Sequence, residues 1–161
     1  MSQPSSEDIV ARIEKAFARV SGQKETSSDG SLIMHVNPNR LVESITILAG
    51  EFGIKHLSTI TGVDAGQSLE LNYHFWYGNR IITVKTAVPK TDPKIQTCVS
   101  IIPGAILYEM ENHDMFGVIF ENNPWMNRKL LLPENYPSDM PPPLLKETSP
   151  EKIRKSLGLE K

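Results

Sequence analysis

Residues 69–88 read LELNYHFWYGNRIITVKTAV. Leu69, Leu71, Tyr73, Phe75 and Tyr77 alternate with Glu70, Asn72, His74 and Trp76. That is the period of two expected of a strand with one face in a core. Gly78-Asn79 supplies a two-residue turn, and Ile82, Val84, Thr86 and Val88 then keep the alternation on the way back. Pro89 and Pro93 bound the end of the return strand, because proline has no N–H to give a ladder. An antiparallel hairpin is thereby predicted, and the rest of the chain must supply the layer that covers it.

Upstream, Ser5 or Ser6 can cap a first helix, with Glu7 and Asp8 in its opening turn. Ile9, Ile13, Ala16, Phe17 and Val20 share one face of that helix. Residues 21–30 are polar and contain glycine, so they read as a loop, and residues 31–36 read as a short strand. Asn37-Pro38 is a cap followed by proline at the first helical position. Leu41, Val42, Ile45, Leu48, Ala49 and Phe52 form the stripe of this second helix, which Gly53 ends. Residues 54–64 form a strand rich in β-branched side chains.

Downstream, residues 97–102 read as a strand or an extended lead-in, and Pro103-Gly104 closes it. Residues 105–116 are predicted helical, with Ile106, Leu107 and Met110 as the side chains to bury. The fold class is therefore α+β: helices packed on a small antiparallel or mixed sheet. Residues 1–132 form this domain, and residues 133–161 follow it as an extended proline-rich arm. Pro133, Pro137, Pro141, Pro142, Pro143 and Pro150 favour extended backbone there. Ser149-Pro150-Glu151 can start a last short helix carrying Ile153 and Leu157. The arm has too little packing of its own, so it is expected either to be disordered or to lie along a partner that buries its leucines and Trp125.

Composition narrows the function. Of 161 residues, 39% are hydrophobic and 22% charged, and the net charge of −2 gives no basic face for nucleic acid. The aromatic strand Tyr73, Phe75, Trp76, Tyr77 lacks interleaved basic residues, so it reads as sheet core and not as a base-stacking platform. No apolar run reaches the roughly 18 residues of a membrane span, and residues 1–10 carry no signal-peptide core. The expected setting is the cytosol or a cytosol-facing surface. Cys98 is the single cysteine, so the chain holds no internal disulfide and no all-cysteine cluster. His35, His56, His74 and His113 show no metal-helix spacing.

The densest chemistry lies in residues 109–133, EMENHDMFGVIFENNPWMNRKLLLP. On a helix, Glu111 and Asp114 share a face, as do Glu109 and His113. Three readings follow. One is a carboxylate pair for acid–base catalysis; a second is a charge clamp from Glu111 and Asp114 to Arg128 and Lys129; the third is a solvated acidic surface. No nucleophile or glycine-rich phosphate loop accompanies the carboxylates.

The same stretch resembles a family signature. Residues 109–118, with Phe120, Pro124, Arg128, residues 130–132, Pro133 and Glu134, are similar to the pattern E-R-E-x-x-D-x-F-G-I-x-F-x-x-H-P-x-x-R-R-x-L-L-P. That pattern belongs to the thirty-kilodalton (NuoC-type) subunit of respiratory complex I. Residues 57–64, ending in Val63-Asp64, and the hairpin also lie where that family has them. This chain departs at Met110, Asn123 and Lys129, where the pattern has arginine, histidine and arginine, and its ending at residues 141–147 differs. These departures favour the corresponding subunit of energy-converting membrane-bound hydrogenase-like complexes.

The resemblance implies a non-catalytic peripheral-arm subunit on the cytoplasmic side of the membrane, with no cofactor of its own. It implies docking on a NuoD-like or hydrogenase-like large subunit, beside a small iron–sulfur subunit and other peripheral-arm and membrane subunits. Iron–sulfur clusters, and in a hydrogenase a nickel–iron centre, lie in those partners. The alternatives are a quinone-type NADH dehydrogenase subunit, or a free adaptor with a polyproline tail. Structural or interface roles are expected of Glu109, Glu111, Asp114, Phe116, Gly117, Pro124, Trp125, Arg128, Lys129 and Pro133.

Overall fold

A computed structural model describes residues 6–26 and 31–159. The expected cap at Ser5 or Ser6 lies outside what is described of the first helix. That helix, α1 (Ser6–Phe17), buries Ile13, Ala16 and Phe17 as its spacing requires, with Val20 buried just beyond it. β1 (Ser21–Thr26) and β2 (Leu32–Val36) follow. Pro38–Arg40 form one tight 3-10 turn, capped by the Asn37 side chain, which accepts from the Asn39 N–H. It leads into α2 (Leu41–Glu51).

Next come β3 (Leu57–Asp64), β4 (Ser68–Tyr77), β5 (Arg80–Pro89) and β6 (Lys94–Gln96). They are followed by α3 (Ala105–Phe116), β7 (Ile119–Glu121) and α4 (Pro150–Ser156).

The sheet order is β1-β2-β5-β4-β3. β4 and β5 pair antiparallel from Ser68↔Pro89 to Tyr77↔Arg80, the predicted hairpin. β2 joins β5 in parallel, with Met34 opposite Val84, and the other pairings are antiparallel, so the sheet is mixed. One face is the core: Leu32 and Met34, Ile82 and Val84, Leu69, Leu71, Tyr73 and Phe75, and Ile60 are all buried. Leu41, Ile45 and Leu48 of α2 belong to the same core cluster. The α+β class read from the sequence holds.

Three local readings are corrected. Residues 21–26 are not loop but the edge strand β1. Its described side chains are all exposed, so no apolar alternation announces it. Main-chain pairing with β2 and the His35 Nε2–Glu25 contact at 3.0 Å hold it in place.

The second correction concerns residues 97–102, which are turns, not strand. The strand lies earlier, in β6, which pairs in parallel with β7 so that buried Ile95 sits opposite buried Phe120. Cys98 O accepts from the N–H groups of Ile101 and Ile102, so the chain coils directly after β6. The third correction is to the face of α3. Met110 is buried and Ile106 half-buried, but Leu107 is 47% exposed. The helix instead turns Glu109, Asn112 and Asp114 inward.

Candidate functional site

A helix that buries its polar residues needs buried donors for them. Those donors come from the irregular segments around α3, whose main-chain groups have no ladder to join.

Glu109 is 0% exposed and takes four donors. Its Oε1 accepts from the Cys98 N–H at 2.9 Å and the Cys98 thiol at 3.3 Å. Its Oε2 accepts from the Thr97 hydroxyl at 2.5 Å and the Asn123 Nδ2 at 2.8 Å. Residues 97–98 follow β6 and Asn123 follows β7, so one carboxylate ties both exits of the small sheet to α3. Burial, and then the negative charge of Glu109, push the Cys98 thiol far above its usual range. That thiol is neutral and sealed, a small hydrophobe and not a nucleophile. Burial likewise raises the Tyr73 phenol, whose hydroxyl has no hydrogen-bond partner among the described residues.

Asp114, 4% exposed, gathers main chain. Its Oδ2 accepts from three consecutive N–H groups, Leu130 and Leu131 at 2.8 Å and Leu132 at 3.1 Å. Successive amides converging on one anion form an anion nest. This is the folding-back that the charge-clamp reading expected, made by different partners. No ion pair joins Glu111 or Asp114 to Arg128 or Lys129 among the described residues. Arg128 instead lies over the Trp125 ring, 5.5 Å from its centroid. Lys129 Nζ donates to the carbonyls of Pro133, Glu134 and Tyr136 at 3.2–3.3 Å. The basic pair thus organises its own loop, and main-chain amides stand on Asp114 Oδ2 in its place.

Gly117 ends α3 with φ 77°, its N–H donating to His113 O at 2.8 Å. A Cβ there would also meet Pro142 Cγ at 2.9 Å, so two constraints select glycine. His113 Nδ1 contacts Val118 O at 2.8 Å and braces the same corner. Phe116 packs half-buried against the core, whereas Pro124 and Pro133 are exposed.

The proline-rich segment is not left without local packing. Leu145 belongs to the domain's own core, and Tyr136 and Thr148 are buried. Leu144 N–H donates to Met115 O at 3.0 Å, and the Thr148 hydroxyl donates to Pro142 O at 2.8 Å. Asp64, at the end of β3, accepts at Oδ2 from the Lys146 N–H at 2.8 Å and from Lys90 Nζ at 2.6 Å. Its Oδ1 takes the Gly66 N–H at 2.8 Å. These donors, the Lys146 amide first, hold the Asp64 carboxyl well below the usual carboxylate range. Lys90 also pairs with Glu147 at 2.6 Å, which lowers the Glu147 carboxyl in turn. Residues 142–148 therefore lie strapped across β3 and α3. The expected last helix is present as α4, with Ser149 accepting from the Lys152 N–H at 3.2 Å.

The geometry does not build an acid–base pair. Asp114 is committed to amides, and Glu111 is exposed, with no hydrogen bond or ion pair among the described residues. Among these residues no three His, Cys, Asp or Glu side chains form a group that could hold a metal ion. No described helix is long and apolar enough to cross a membrane.

Asp64, Lys90, Asn112, Asn123 and Thr97 are not singled out by spacing. Their signal is positional: Asp64 closes the Val63-Asp64 strand end, and Asn123 stands where the signature has histidine. From that position Asn123 both feeds Glu109 and accepts the Trp125 N–H at 2.9 Å.

Comparison with known proteins agrees with this geometry. The family "Respiratory-chain NADH dehydrogenase, 30 Kd subunit" matches residues 34–153. The C subunit of the NADH-quinone oxidoreductase of Roseiflexus castenholzii is 31% identical over 136 residues, covering 80% of this chain and 76% of that protein. The C subunit of the F(420)H(2) dehydrogenase of Methanosarcina mazei is 28% identical over 137 residues, covering 83% and 86%. Some relatives are longer: the chain spans 57% of the corresponding NADH-quinone oxidoreductase protein of Salinispora tropica. A chain of the membrane-bound sulfane sulfur reductase, an archaeal respiratory membrane complex, shares the fold with a TM-score of 0.76 at 24% identity, covering 96% of this chain and 92% of that one. With the α3 signature built into the fold and the family match running from β2 into α4, the chain belongs to the 30 Kd subunit family of the respiratory-chain NADH dehydrogenase.

Proposed function

We propose that this chain is a non-catalytic assembly subunit of a membrane-bound, complex-I-like, ion-translocating oxidoreductase, and that it docks on the large subunit from the cytoplasmic side. The observation that carries this reading is how the signature carboxylates are used. Glu109 binds donors of its own domain at both oxygens, and Asp114 gathers three amides on Oδ2, so both carboxylates are used in holding the fold. What they hold in place is a surface. Asp114 fixes residues 130–132 and Met115 fixes Leu144, so Leu131 (56% exposed) and Leu144 (55% exposed) are anchored from adjacent residues of α3. Trp125 and Leu130 are exposed nearby in the chain. Exposed apolar side chains on a rigid frame favour a protein interface.

In this reading the electrons travel through iron–sulfur clusters of partner subunits. Met110, Asn123, Lys129 and the altered ending at residues 141–147 favour a hydrogenase-type complex, whose nickel–iron centre would sit in the large subunit.

The test is a tagged chain carrying Leu131→Glu and Leu144→Glu, purified from gently solubilised membranes. Both positions are exposed, so the fold should survive, as circular dichroism would verify. Loss of the co-purifying large subunit is the expected result. Undiminished recovery would refute the docking face.

A further inference from the structure

The strap of residues 142–148 is a small unit with hydrogen bonds of its own. The Leu145 N–H donates to Pro142 O at 3.3 Å and the Thr148 N–H to Leu145 O at 2.9 Å, beside the bond from the Thr148 hydroxyl to Pro142 O. The prolines at 141–143 lead into it without an N–H to join any ladder. We propose that the strap is a hinged segment that opens while the sheet stays folded, that Lys90 is the latch that holds it shut, and that only the closed form docks. This rests on the docking reading above and adds the condition under which that face exists.

The way the strap is fastened carries the assignment. Leu145 reaches the core at 9% exposure, the most exposed of the buried core residues. Pro142 lies beside Gly117, and the Leu144 and Lys146 amides each donate one bond, to Met115 O and Asp64 Oδ2. A segment with so little buried apolar surface opens at a lower free energy than the sheet. Lys90 adds the charged tie, because its Nζ stands 2.6 Å from both Asp64 Oδ2 on β3 and Glu147 Oε2 on the strap. The three groups run from inside to outside, with side chains 3% exposed at Asp64, 17% at Lys90 and 54% at Glu147. Without the ammonium between them, two carboxylates would face each other across the closed strap, one of them buried.

Closure matters to docking through Leu144. Its amide on Met115 O sets it beside α3, where it is 55% exposed and rims a shallow cleft over Met115 and Phe116. Opening swings that side chain off the docking face and uncovers Leu145. A partner that recognises the closed face therefore holds the strap shut by the same free energy that closure lends to docking.

The test is amide hydrogen exchange of the full chain, with binding measured in parallel to the complex isolated from a strain lacking it. In the wild type the Leu144 and Lys146 amides should exchange faster than those of β4 and β5, at a rate insensitive to low urea, the mark of local opening. Lys90→Met should strip these two amides of nearly all protection while β4 and β5 keep theirs, and should weaken binding at least about fivefold, since affinity falls with the closed fraction. Glu147→Lys, at an exposed position that leaves Asp64 untouched, should act in the same direction, and Lys90→Arg should retain both protection and binding. If the strap amides exchange only together with β4 and β5, or stay protected in Lys90→Met and Glu147→Lys, the latch is wrong. If the strap opens in these variants yet they bind like wild type, while Leu131→Glu/Leu144→Glu does not bind, closure is no condition for docking and the docking face stands. If the leucine variant also binds normally, the docking reading falls and takes the condition with it.

Discussion

Glu109→Gln isolates the role of the buried carboxylate, because it removes one charge and leaves the shape. Glu109 Oε1 serves the Cys98 amide and thiol, and Oε2 serves Thr97 and Asn123. A glutamine has one acceptor oxygen and one NH₂ group. Its best orientation keeps oxygen toward the Cys98 amide and points NH₂ toward Thr97 and Asn123. The Thr97 hydroxyl can turn to accept. Asn123 cannot follow, because its Oδ1 holds the Trp125 N–H, so two NH₂ groups face each other. One buried donor left unmet costs about 1–3 kcal/mol, and the bonds to Cys98 lose their charge assistance as well. The expected destabilisation is about 2–3 kcal/mol, read as a lower urea midpoint with unchanged slope and a melting temperature lower by about 5–10 °C. Combining Glu109→Gln with Asn123→Ala should recover part of the loss, giving a coupling of about 1 kcal/mol. A Glu109→Gln protein within about 0.5 kcal/mol of wild type, the ordinary range for surface substitutions, would refute the structural role.

Other outcomes follow from the same contacts. Asp114→Asn should cost about 2 kcal/mol, because three amides lose a charged acceptor, and trypsin should then cut faster after Arg128 or Lys129. The Asp64 carboxyl is held below its unfolded range, so the stability it gives is complete above a pH of about 4 and is lost as pH falls further. Asp64→Asn should therefore flatten the acid limb of stability between about pH 4 and pH 2, measured by urea unfolding, and put an NH₂ group where either Gly66 or Lys146 and Lys90 now find an acceptor. Cys98, buried and with its thiol pushed upward, should resist iodoacetamide in the native protein and react on unfolding.

What the sequence disclosed and what it hid divide along one physical line. Elements that bury apolar side chains at a fixed period were legible: the hairpin at residues 69–88, the stripe of α2, and the limits of α3, which starts after Pro103-Gly104 and stops at Gly117. Elements held by main-chain bonds alone were not. β1 has no apolar alternation, so nothing in SGQKET distinguishes an edge strand from a loop. α3 misled for a related reason. Its apolar residues suggested the buried face, but Glu109, Asn112 and Asp114 win the interior because irregular segments supply amide donors that solvent-facing leucine does not need. The carboxylates themselves were visible, and so was the folding-back after Gly117. The partners were not, since an amide nest leaves no trace in residue type. The strap was hidden likewise: its proline content suggested an arm lying on another protein, while Leu145, Asp64 and Lys90 fasten residues 142–148 to their own domain.

The central claim is that the carboxylates and the strap build a docking surface on a larger oxidoreductase. Native electrophoresis of gently solubilised membranes, probed for this chain and for iron and nickel, tests it most directly. The chain should migrate in one large band that contains iron, with nickel if the complex is of the hydrogenase type. Migration as a free protein of 18.0 kDa, in membranes where a metal-containing complex runs separately, would contradict the account.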